Sequence, residues 1–537
     1  MTYDEVLSKI GEFGRYHRIK FLLFCLTATV TGFNFMSGVF LGAVPDSRCL
    51  LPGENIENVT YELPSNISSQ FYPWDDKIGS WSQCEMYDID GNSSLNTSTV
   101  KCDLYVYDTS TYELTTTTDF HLVCDKAWVK TTTDALFMVG VMLGAIIFGA
   151  SSDKWGRKLT YYLAIVGYLI GAILVFISPE FISFTVDRMI SGATCSGIFL
   201  IGYVNALEMV GRTHRKTIVV GIHLSYTFGY ILLIICAFFL RTWRYLQIAA
   251  IVPGVLFLFY WPFIPESARW LLTKNRREQA IDILHEASKV NGKETSRGTL
   301  DRWLGETASG ESKKLSTSDF LNYPNMRNKS LVLFFSWFIN SGTYYGLSWN
   351  TSDLAGDDFA NALISAVVEI PAHVLVYFTL NRWGRKTILI GCMFVAGISL
   401  LVTIFIPSDM QWLVVVFAMM GKLAITASYE SIYVFTSEQY PTVIRNAGIG
   451  ACSMCARMGG IVAPYINYSS TLWVHSPRLI FGCSALLAGL LTMILPETLN
   501  ANLPDTMEDG EQFGRKPKKA ETSFNRDDSL TTKSTKY

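Results

Sequence analysis

Four charged side chains stand out among those inside the long apolar stretches of this sequence, namely Glu369, Lys422, Glu430 and Arg457. A charge at the centre of a bilayer costs about 2.5–3.5 kcal/mol on insertion scales, so such residues are expected to face the protein interior. They can bind a charged solute there, or they can pair with one another and hold helices together. The pairing alternative stays open for all four, and most of all for Lys422.

The apolar stretches must form the elements that position these charges. The 537 residues are 50% hydrophobic and 17% charged, with long apolar blocks. A helix needs about 20 apolar residues to span a bilayer, and backbone in lipid must satisfy its own hydrogen bonds. We predict an all-α membrane protein of twelve transmembrane helices, near 20–42, 133–150, 158–178, 181–206, 217–240, 244–264, 329–347, 359–380, 386–407, 411–435, 446–466 and 476–495.

Basic residues predict the orientation. Lys9, Arg15, Arg18 and Lys20 precede the first apolar block, which favours a cytoplasmic N-terminus by the positive-inside rule. Twelve spans then return the C-terminus to the cytoplasm. The first block is too long for a signal peptide and lacks a small-residue cleavage site.

The segment after the first span has the composition of an extracellular loop. Residues 43–130 hold 14 acidic and five basic residues and four cysteines, Cys49, Cys84, Cys102 and Cys124. These cysteines are disulfide candidates in an oxidising compartment, and their pairing stays open among three arrangements. Six sequons are predicted to be glycosylated on the outer side: Asn58, Asn66, Asn92, Asn96, Asn350 and Asn467.

Charged motifs recur at a nearly constant offset along the chain. Arg157 recurs as Arg385, and the dipeptide Pro-Glu at 265 recurs at 496. Glu208 and Arg215 are matched by Glu438 and Arg445, with one offset shared by both pairs. This periodicity predicts two six-helix halves related by a parallel repeat.

The string GASSDKWGRK at 149–158, with RWGRK at 382–386, resembles the loop signature of the major facilitator superfamily. Glycines give tight inside turns, and the charges can pair or cap helix ends between the halves. We therefore predict a gating role for Asp153, Arg157, Glu208, Arg215, Arg385, Glu438 and Arg445; the alternative is that these charges only set topology.

A narrower resemblance covers nearly the whole chain. The large loop after the first span, PESARWLL at 265–272 and EQYPTVIRN at 438–446 are similar to the organic cation/anion/carnitine transporter family of solute carriers. The resemblance implies the major facilitator fold, a plasma-membrane location and transport of small charged organic molecules without ATP hydrolysis.

The same resemblance implies an aromatic cage. Phe35, Tyr226, Trp337, Tyr344 and Tyr429 lie where the family's cage is expected, and aromatic faces attract ammonium groups by cation–π interaction. His223, one turn before Tyr226, can hydrogen-bond a polar group of the substrate. The alternative for each aromatic side chain is a lipid-facing or core-filling role.

Position 457 bears on substrate choice. The resemblance implies aspartate there in cation-selective members and arginine in anion and carnitine members; this chain has Arg457 and adds Glu430. Arginine can hold a carboxylate bidentately while the cage takes an ammonium group. We therefore expect carnitine-like zwitterions, betaines or amines as substrates, with Arg457, Glu369, Glu430, His223 and the cage as binding residues.

The predicted organisation is a cytoplasmic N-terminus (1–19), a first half (20–264) with the loop 43–132, a cytoplasmic inter-half loop (265–328), a second half (329–496) and a disordered tail (497–537). Within the inter-half loop, 276–290 predicts an amphipathic helix on the membrane surface. The last three residues resemble a PDZ-domain ligand only weakly, and an inert tail is the favoured interpretation.

Two other functions stay open: an organic anion exchanger, suggested by Arg457 and Lys422, and a non-transporting receptor or scaffold that kept the fold. An enzyme is not expected, because the sequence has no phosphate-binding loop, metal-ligand spacing or nucleophile motif. No cofactor, metal or nucleic-acid partner is predicted. The expected partners are membrane lipid, a small charged solute and, for a zwitterion, a coupled ion such as sodium or a proton.

Overall fold

The computed structural model describes residues 3–55, 59–75, 80–88, 98–305, 323–351, 356–441, 443–501, 504 and 506–514.

The first half contains α1 (Tyr3–Ile10), α2 (Arg15–Met36), α3 (Gly38–Leu41), α4 (Ser65–Phe71), α5 (Thr116–Asp119), α6 (Ala127–Trp155), α7 (Arg157–Ile177), α8 (Phe181–Glu208), α9 (Arg215–Phe239) and α10 (Trp243–Phe257). The connecting segment contains α11 (Ala268–Thr273), α12 (Arg277–Val290) and α13 (Arg297–Gly305). The second half contains α14 (Pro324–Trp349), α15 (Asp358–Trp383), α16 (Arg385–Val402), α17 (Gln411–Gln439), α18 (Arg445–Tyr468) and α19 (Ser476–Thr492), followed by α20 (Met507–Gln512).

Twelve of these helices correspond to the twelve predicted spans: α2 with its continuation α3, α6 to α10, and α14 to α19. Ten of them are long and apolar enough to cross a membrane by themselves. The other two are α14, which carries many Asn, Ser, Thr and Tyr side chains, and α19, which has 17 residues. The mostly helical, twelve-span fold predicted from the sequence is confirmed.

The two halves meet along two helix pairs, because α6 packs against α18 and α9 packs against α15. Small residues allow close packing within each half. Gly459 of α18, for example, lies against the carbonyl of Phe338 on α14, where a Cβ atom has no room. The central part of the molecule is therefore enclosed by helices from both halves.

Glycines end the helices at the two repeated corners. Gly156 follows α6 with φ 105° and ψ 162°, and Gly384 follows α15 with φ 94° and ψ 151°. This region of backbone space is essentially restricted to glycine. Because each glycine turns the chain at once, α7 and α16 begin at the very next residue.

The loop between α3 and α6 forms three small antiparallel ribbons, β1 (Ser47–Cys49) with β6 (Tyr105–Tyr107), β2 (Trp74–Asp75) with β3 (Ser80–Trp81), and β4 (Glu85–Tyr87) with β5 (Thr99–Lys101). Disulfides join Cys49 to Cys102 and Cys84 to Cys124, which resolves the pairing that the sequence left open. Arg48 is buried and forms a bidentate pair with Glu54, at 2.8 and 3.0 Å.

The sequons differ in their surroundings. Asn58, Asn92 and Asn96 lie outside the described residues, and Asn66 lies in α4. Asn350 follows α14 directly. The loop placement expected for Asn467 is wrong, because this residue is in the last turn of α18 and its Nδ2 donates to the carbonyl of Gly346 at 3.0 Å.

The helix expected at 276–290 is present as α12, and its apolar side packs against protein. Its apolar side, with Ala280, Ile281 and Leu284, is buried in a cluster with residues of α1, α11 and α13. Four short helices therefore satisfy one another's apolar faces in a small bundle on the side of the molecule where the N-terminus lies.

The disordered tail expected from residue 497 is wrong for its first part. Helix α20 packs beside α14: the backbone N–H groups of Asn325 and Met326 donate to the Glu511 carboxylate, and Lys329 Nζ donates to the carbonyl of Phe513 at 2.6 Å. A carboxylate is stabilised at a helix N-terminus because four backbone N–H groups there have no partner in the helix. Residues 515–537, with the PDZ-like end, lie outside the described residues.

Candidate central binding site

A cavity of about 100 Å³ lies between the halves at the level of the buried charges. Its walls come from α2, α6, α8 and α9 of the first half and from α14, α15, α17 and α18 of the second. Eight of the nine predicted binding residues line it: Phe35, His223, Tyr226, Tyr344, Glu369, Tyr429, Glu430 and Arg457.

Trp337 is the predicted binding residue that does not line the cavity. It is fully buried, and its Nε1 donates to Thr436 Oγ1 at 2.8 Å. Its ring packs 4.4 Å from the ring of Tyr433 and 6.2 Å from that of Tyr429, measured between centroids. Trp337 therefore supports the aromatic wall from behind, and the prediction of direct lining is wrong for this residue.

The aromatic wall is continuous over both halves. The ring of Tyr344 lies 5.2 Å from that of Tyr345 and 5.7 Å from that of Tyr429. On the other side, the ring of Phe35 lies 6.1 Å from that of Tyr226. Three aromatic residues of this wall were not predicted from the sequence: Phe199, Tyr345 and Tyr433.

Glu369 is held by three partners. Its Oε1 accepts from Lys422 Nζ at 2.9 Å and from Tyr344 Oη at 2.8 Å, and its Oε2 accepts from Thr227 Oγ1 at 2.8 Å. Lys422 also contacts Ser348 Oγ and lies 3.6 Å from the centroid of the Tyr344 ring. The pairing alternative is thus the one realised for Lys422, which lies outside the cavity walls, and Glu369 is a compensated charge.

Glu430 has a different environment. Its Oε1 lies 2.7 Å from His373 Nδ1, with both side chains about 4% exposed. The approach is off the usual hydrogen-bond direction, so neither carboxylate oxygen has a well-directed hydrogen bond within the described residues. His373 was not singled out in the sequence, although it follows Glu369 by four residues and must share its helix face.

Arg457 lines the cavity without a carboxylate partner among the described residues. Its Nη1 donates to Ser453 Oγ at 2.7 Å and to the Ser453 carbonyl at 3.1 Å, one turn earlier in α18. Its Nε is buried without a hydrogen bond in the same part of the chain. A guanidinium group held in this way can still offer donors to an anionic group in the cavity.

Further charges inside the predicted spans lie away from this cavity. Arg188 of α8 is buried, donates to Ser37 Oγ at 2.9 Å and stacks 4.6 Å from the ring of Phe137. Asp134 of α6 lies near Lys130, at 3.9 Å. Their presence inside apolar blocks was the signal in the sequence that could have identified them.

The predicted gating residues form the same corner in each half. In the first, Arg157 contacts Asp153 at 2.7 Å and Glu208 at 3.1 Å; in the second, Arg385 contacts Glu438 at 3.1 Å. These ion pairs lie within one half each, so the expected pairing between halves is wrong for them. Arg215 pairs with Asp4 of α1 at 3.2 Å, and Arg445 is the first residue of α18.

A carboxylate caps the helix that starts at each corner. Glu266 accepts from the backbone N–H groups of Arg157 and Lys158, and Glu497 accepts from those of Arg385 and Lys386, at 3.0 and 3.1 Å. Burial raises the pKa of Glu497, but its backbone hydrogen bonds lower it further, so that the pKa lies below its ordinary value. The corners therefore connect α6, α7 and α8, and likewise α15, α16 and α17, through charged contacts.

Contacts between the halves exist at both ends of the central cavity. On the side of the disulfide-bonded loop, Tyr112 Oη donates to Asp358 at 3.0 Å, and a second cavity of about 640 Å³ opens beneath the loop. On the side of the termini, Lys216 of α9 contacts the carbonyl of Tyr377 on α15. The central cavity thus has a bridging contact above it and another below it.

Known proteins are similar to this chain in sequence and in fold. Residues 84–508 match the family described as "Sugar (and other) transporter". The chain is 48% identical to the "Organic cation transporter protein" of Drosophila melanogaster, over 97% of each chain, and 33% identical to "Solute carrier family 22 member 3" of Rattus norvegicus, over 96% of each. Among solved structures, the major facilitator superfamily proton:xylose symporter XylE aligns with a TM-score of 0.58 at 18% identity, covering 92% of this chain and 99% of that one.

Proposed function

Because this chain belongs to the Sugar (and other) transporter family of the major facilitator superfamily, and within it to the organic cation transporters of solute carrier family 22, we propose that it carries small organic solutes with a positive group, zwitterions included, across the plasma membrane. The observation that carries this proposal is the central cavity, which combines Glu430, Arg457 and a wall of aromatic rings. The protein is a transporter and not an enzyme.

The positive group of the solute is proposed to bind near Glu430 and the tyrosines. Aromatic faces attract ammonium groups more strongly when water is excluded, and the cavity lies between bridging contacts of the two halves. Glu369, whose charge is already compensated by Lys422, is assigned the role of orienting Tyr344. This assignment differs from the expectation from the sequence, in which Glu369 and Glu430 both bind the solute.

Arg457 supports a zwitterion in preference to a simple cation. A guanidinium group without a carboxylate partner in the described residues can accept the carboxylate of a carnitine-like molecule or a betaine. The names of the relatives, by contrast, favour a cation. A simple amine is therefore the second candidate substrate, and an organic anion exchanger, which Arg457 also favours, is the third.

Transport is proposed to occur by alternating access. The corners keep each half rigid, so that the halves can rock against each other along α6 with α18 and α9 with α15. Exposed apolar side chains such as Phe239 and Leu472, 75% and 86% exposed, are suited to contact lipid. In this proposal both termini are cytoplasmic and the disulfide-bonded loop is extracellular and glycosylated.

For a cation carried without a counter-ion, the membrane potential is the driving force. It supplies about 2.3 kcal/mol per charge per 100 mV, which corresponds to roughly forty-fold accumulation. A zwitterion gains nothing from the potential and requires a coupled ion, sodium or a proton.

Uptake of three radiolabelled probes in one cell line tests the proposal. Carnitine, tetraethylammonium and an aromatic anion represent the zwitterion, the cation and the anion. We expect uptake of the first two above that of vector-transfected cells, with loss of both in Glu430→Gln. Uptake of the anion alone supports the exchanger, and no uptake of any charged solute supports a receptor or scaffold.

A further inference from the structure

His373 connects the two carboxylates of the central cavity. The side chain is 3% exposed; its Nδ1 lies 2.7 Å from Glu430 Oε1, and its Nε2 lies 3.1 Å from Thr227 Oγ1. The Thr227 hydroxyl in turn contacts Glu369 Oε2 at 2.8 Å. One imidazole ring thus lies between a carboxylate on α17 and a hydroxyl on α9.

The direction of these contacts places a proton on each ring nitrogen. Glu369 is ionised beside Lys422, so the Thr227 hydroxyl must donate its single proton to Glu369. Thr227 Oγ1 can then only accept from His373, which puts a proton on Nε2. A neutral ring would point the lone pair of Nδ1 at the Glu430 carboxylate. The approach of Nδ1 to 2.7 Å from Glu430 is therefore favourable only when this pair of groups carries one more proton, as an ion pair and not as a well-directed hydrogen bond.

Near Glu430, this proton has no competing cationic side chain within the described residues. No lysine or arginine lies within 4.0 Å of Glu430 among the described residues, whereas Glu369 has Lys422. The titratable and charged groups near His373 are His223 on α9, Glu369 on α15 itself, and Glu430 and Lys422 on α17. The ring of His223 lies 6.1 Å from that of His373 and makes its own bond, from Nδ1 to the Val219 carbonyl at 2.8 Å.

We propose that His373 and Glu430 bind a transported proton, and that the positive group of the solute displaces this proton, so that the protein exchanges a proton for an organic cation. The inference rests on the proposed function of the same cavity. Its physical basis is competition, because the imidazolium and the solute are both cations and the carboxylate of Glu430 can compensate only one of them at such close range.

The cycle balances in charge and protons. The solute enters from one side, its positive group takes the place beside Glu430, and the Nδ1 proton of His373 leaves to water on that side. The halves rock, the solute leaves on the other side, and His373 takes a proton from water there. Protonated His373 then compensates Glu430 during the return, since an uncompensated carboxylate is costly to enclose. A cation crosses in one direction and a proton in the other, without net charge movement.

The test uses purified protein in liposomes and tetraethylammonium, whose fixed charge cannot titrate. The membrane potential is clamped at zero with valinomycin and equal potassium on both sides. With pH 6.0 inside and 7.5 outside, one-to-one exchange predicts accumulation approaching thirty-fold, against one-fold at pH 7.5 on both sides. A trapped pH dye should report one proton leaving per tetraethylammonium taken up, and external acidification by one unit should raise the apparent KM for tetraethylammonium up to tenfold.

Two variants assign the effect to the residue. His373→Gln should reduce the gradient-driven accumulation to one-fold, whatever its rate at equal pH. His17→Gln is the matched control, because it removes another buried histidine that lies outside the cavity and has no carboxylate within 4.0 Å among the described residues, and it should keep the gradient response. If His373→Gln does not fold, the dye and KM measurements on the unmodified protein decide.

The outcomes separate the two proposals. Tetraethylammonium uptake by the unmodified protein without gradient-driven accumulation overturns the proton exchange and leaves the transport function standing. Persistence of the gradient response in His373→Gln overturns the assignment to His373. Absence of uptake of carnitine, tetraethylammonium and an anion alike overturns the transport function and, with it, this inference.

Discussion

Replacement of Arg457 by alanine should separate zwitterions from cations. In the described part of the chain the guanidinium group bonds only to Ser453, one turn earlier in the same helix. Its removal therefore leaves no buried carboxylate without a counter-charge. We expect Arg457→Ala to fold, and its effect to fall on the solute.

The size of the effect follows from the contact that is lost. Hydrogen bonds to charged groups contribute about 1.5–3 kcal/mol each, and about 1.4 kcal/mol corresponds to tenfold in affinity. The loss of one such contact to a substrate carboxylate should raise the KM for carnitine by roughly tenfold to a hundredfold. Tetraethylammonium has no carboxylate and is repelled by a neighbouring guanidinium, so its KM should stay equal or fall.

The assay is initial-rate uptake of both solutes in the same cells, with surface protein quantified by biotinylation. Arg457→Lys is the matched control, because it keeps the charge and removes the planar fork that binds a carboxylate bidentately; its KM for carnitine should lie between those of the two other proteins. Equal losses for carnitine and tetraethylammonium in Arg457→Ala would show that the residue is structural and refute the reasoning.

Three further predictions concern stability in detergent, measured by thermal unfolding. Lys422→Met should destabilise the folded protein by about 3–5 kcal/mol, since it leaves the Glu369 carboxylate buried without its cation. The double variant Lys422→Met with Glu369→Gln should recover most of this lost stability. A double variant as unstable as Lys422→Met would contradict the pairing. Gly156→Ala should cost about 1–3 kcal/mol because φ is 105° and an added Cβ meets Glu266, whereas Gly149→Ala, where an added Cβ makes only an ordinary contact with Leu200, is the control. The pKa of Glu497 is lowered in the folded protein, so its contribution to stability is complete above the ordinary carboxyl pKa of about 4.3 and is lost as the pH falls through the folded pKa. Glu497→Gln should therefore lower the thermal unfolding midpoint at pH 7 and reduce the further decrease of that midpoint at acid pH. An unchanged dependence of the midpoint on acid pH would contradict this assignment.

The helices were predictable because their signal is long and local. A span needs about 20 apolar residues, and the twelve blocks found in the sequence correspond to the helices observed. The cavity was predictable for a related reason: a charge inside such a block must face the interior, and Glu369, Glu430 and Arg457 all do so.

The partners of these charges were not predictable, because they depend on rotation and depth in three dimensions. Trp337 and Tyr344 share a helix face, yet two helical turns separate them, and that distance takes Trp337 behind the wall. Tyr345 lines the cavity beside Tyr344, although neighbouring residues of a helix point about 100° apart. The pairing of Glu369 with Lys422 joins two helices, and no spacing along the chain reports such a contact.

The sequence contains a local indication that His373 belongs to the cavity. This residue follows Glu369 by one helical turn, so a helix face carrying one buried charge also carries a titratable ring. The tail shows the opposite case: its polar composition indicated disorder, but α20 is held by Glu511 at the start of α14, a contact between segments that are far apart along the chain.

The sequence repeat treats the cavity-lining positions and the charged corners differently. The offset that relates Glu208 to Glu438 also relates Phe199 to Tyr429, and both of these rings line the cavity. The next position along is Leu200 in the first half and Glu430 in the second, and the same offset relates Thr227 to Arg457. The repeat has therefore kept the positions that line the cavity but not their chemistry, whereas the corners around Arg157 and Arg385 have kept both. In the proposed alternating access the two halves move as similar bodies, so matching corners are expected. Recognition of an asymmetric solute requires unlike walls, so in this proposal the carboxylate and the guanidinium can reside in one half alone.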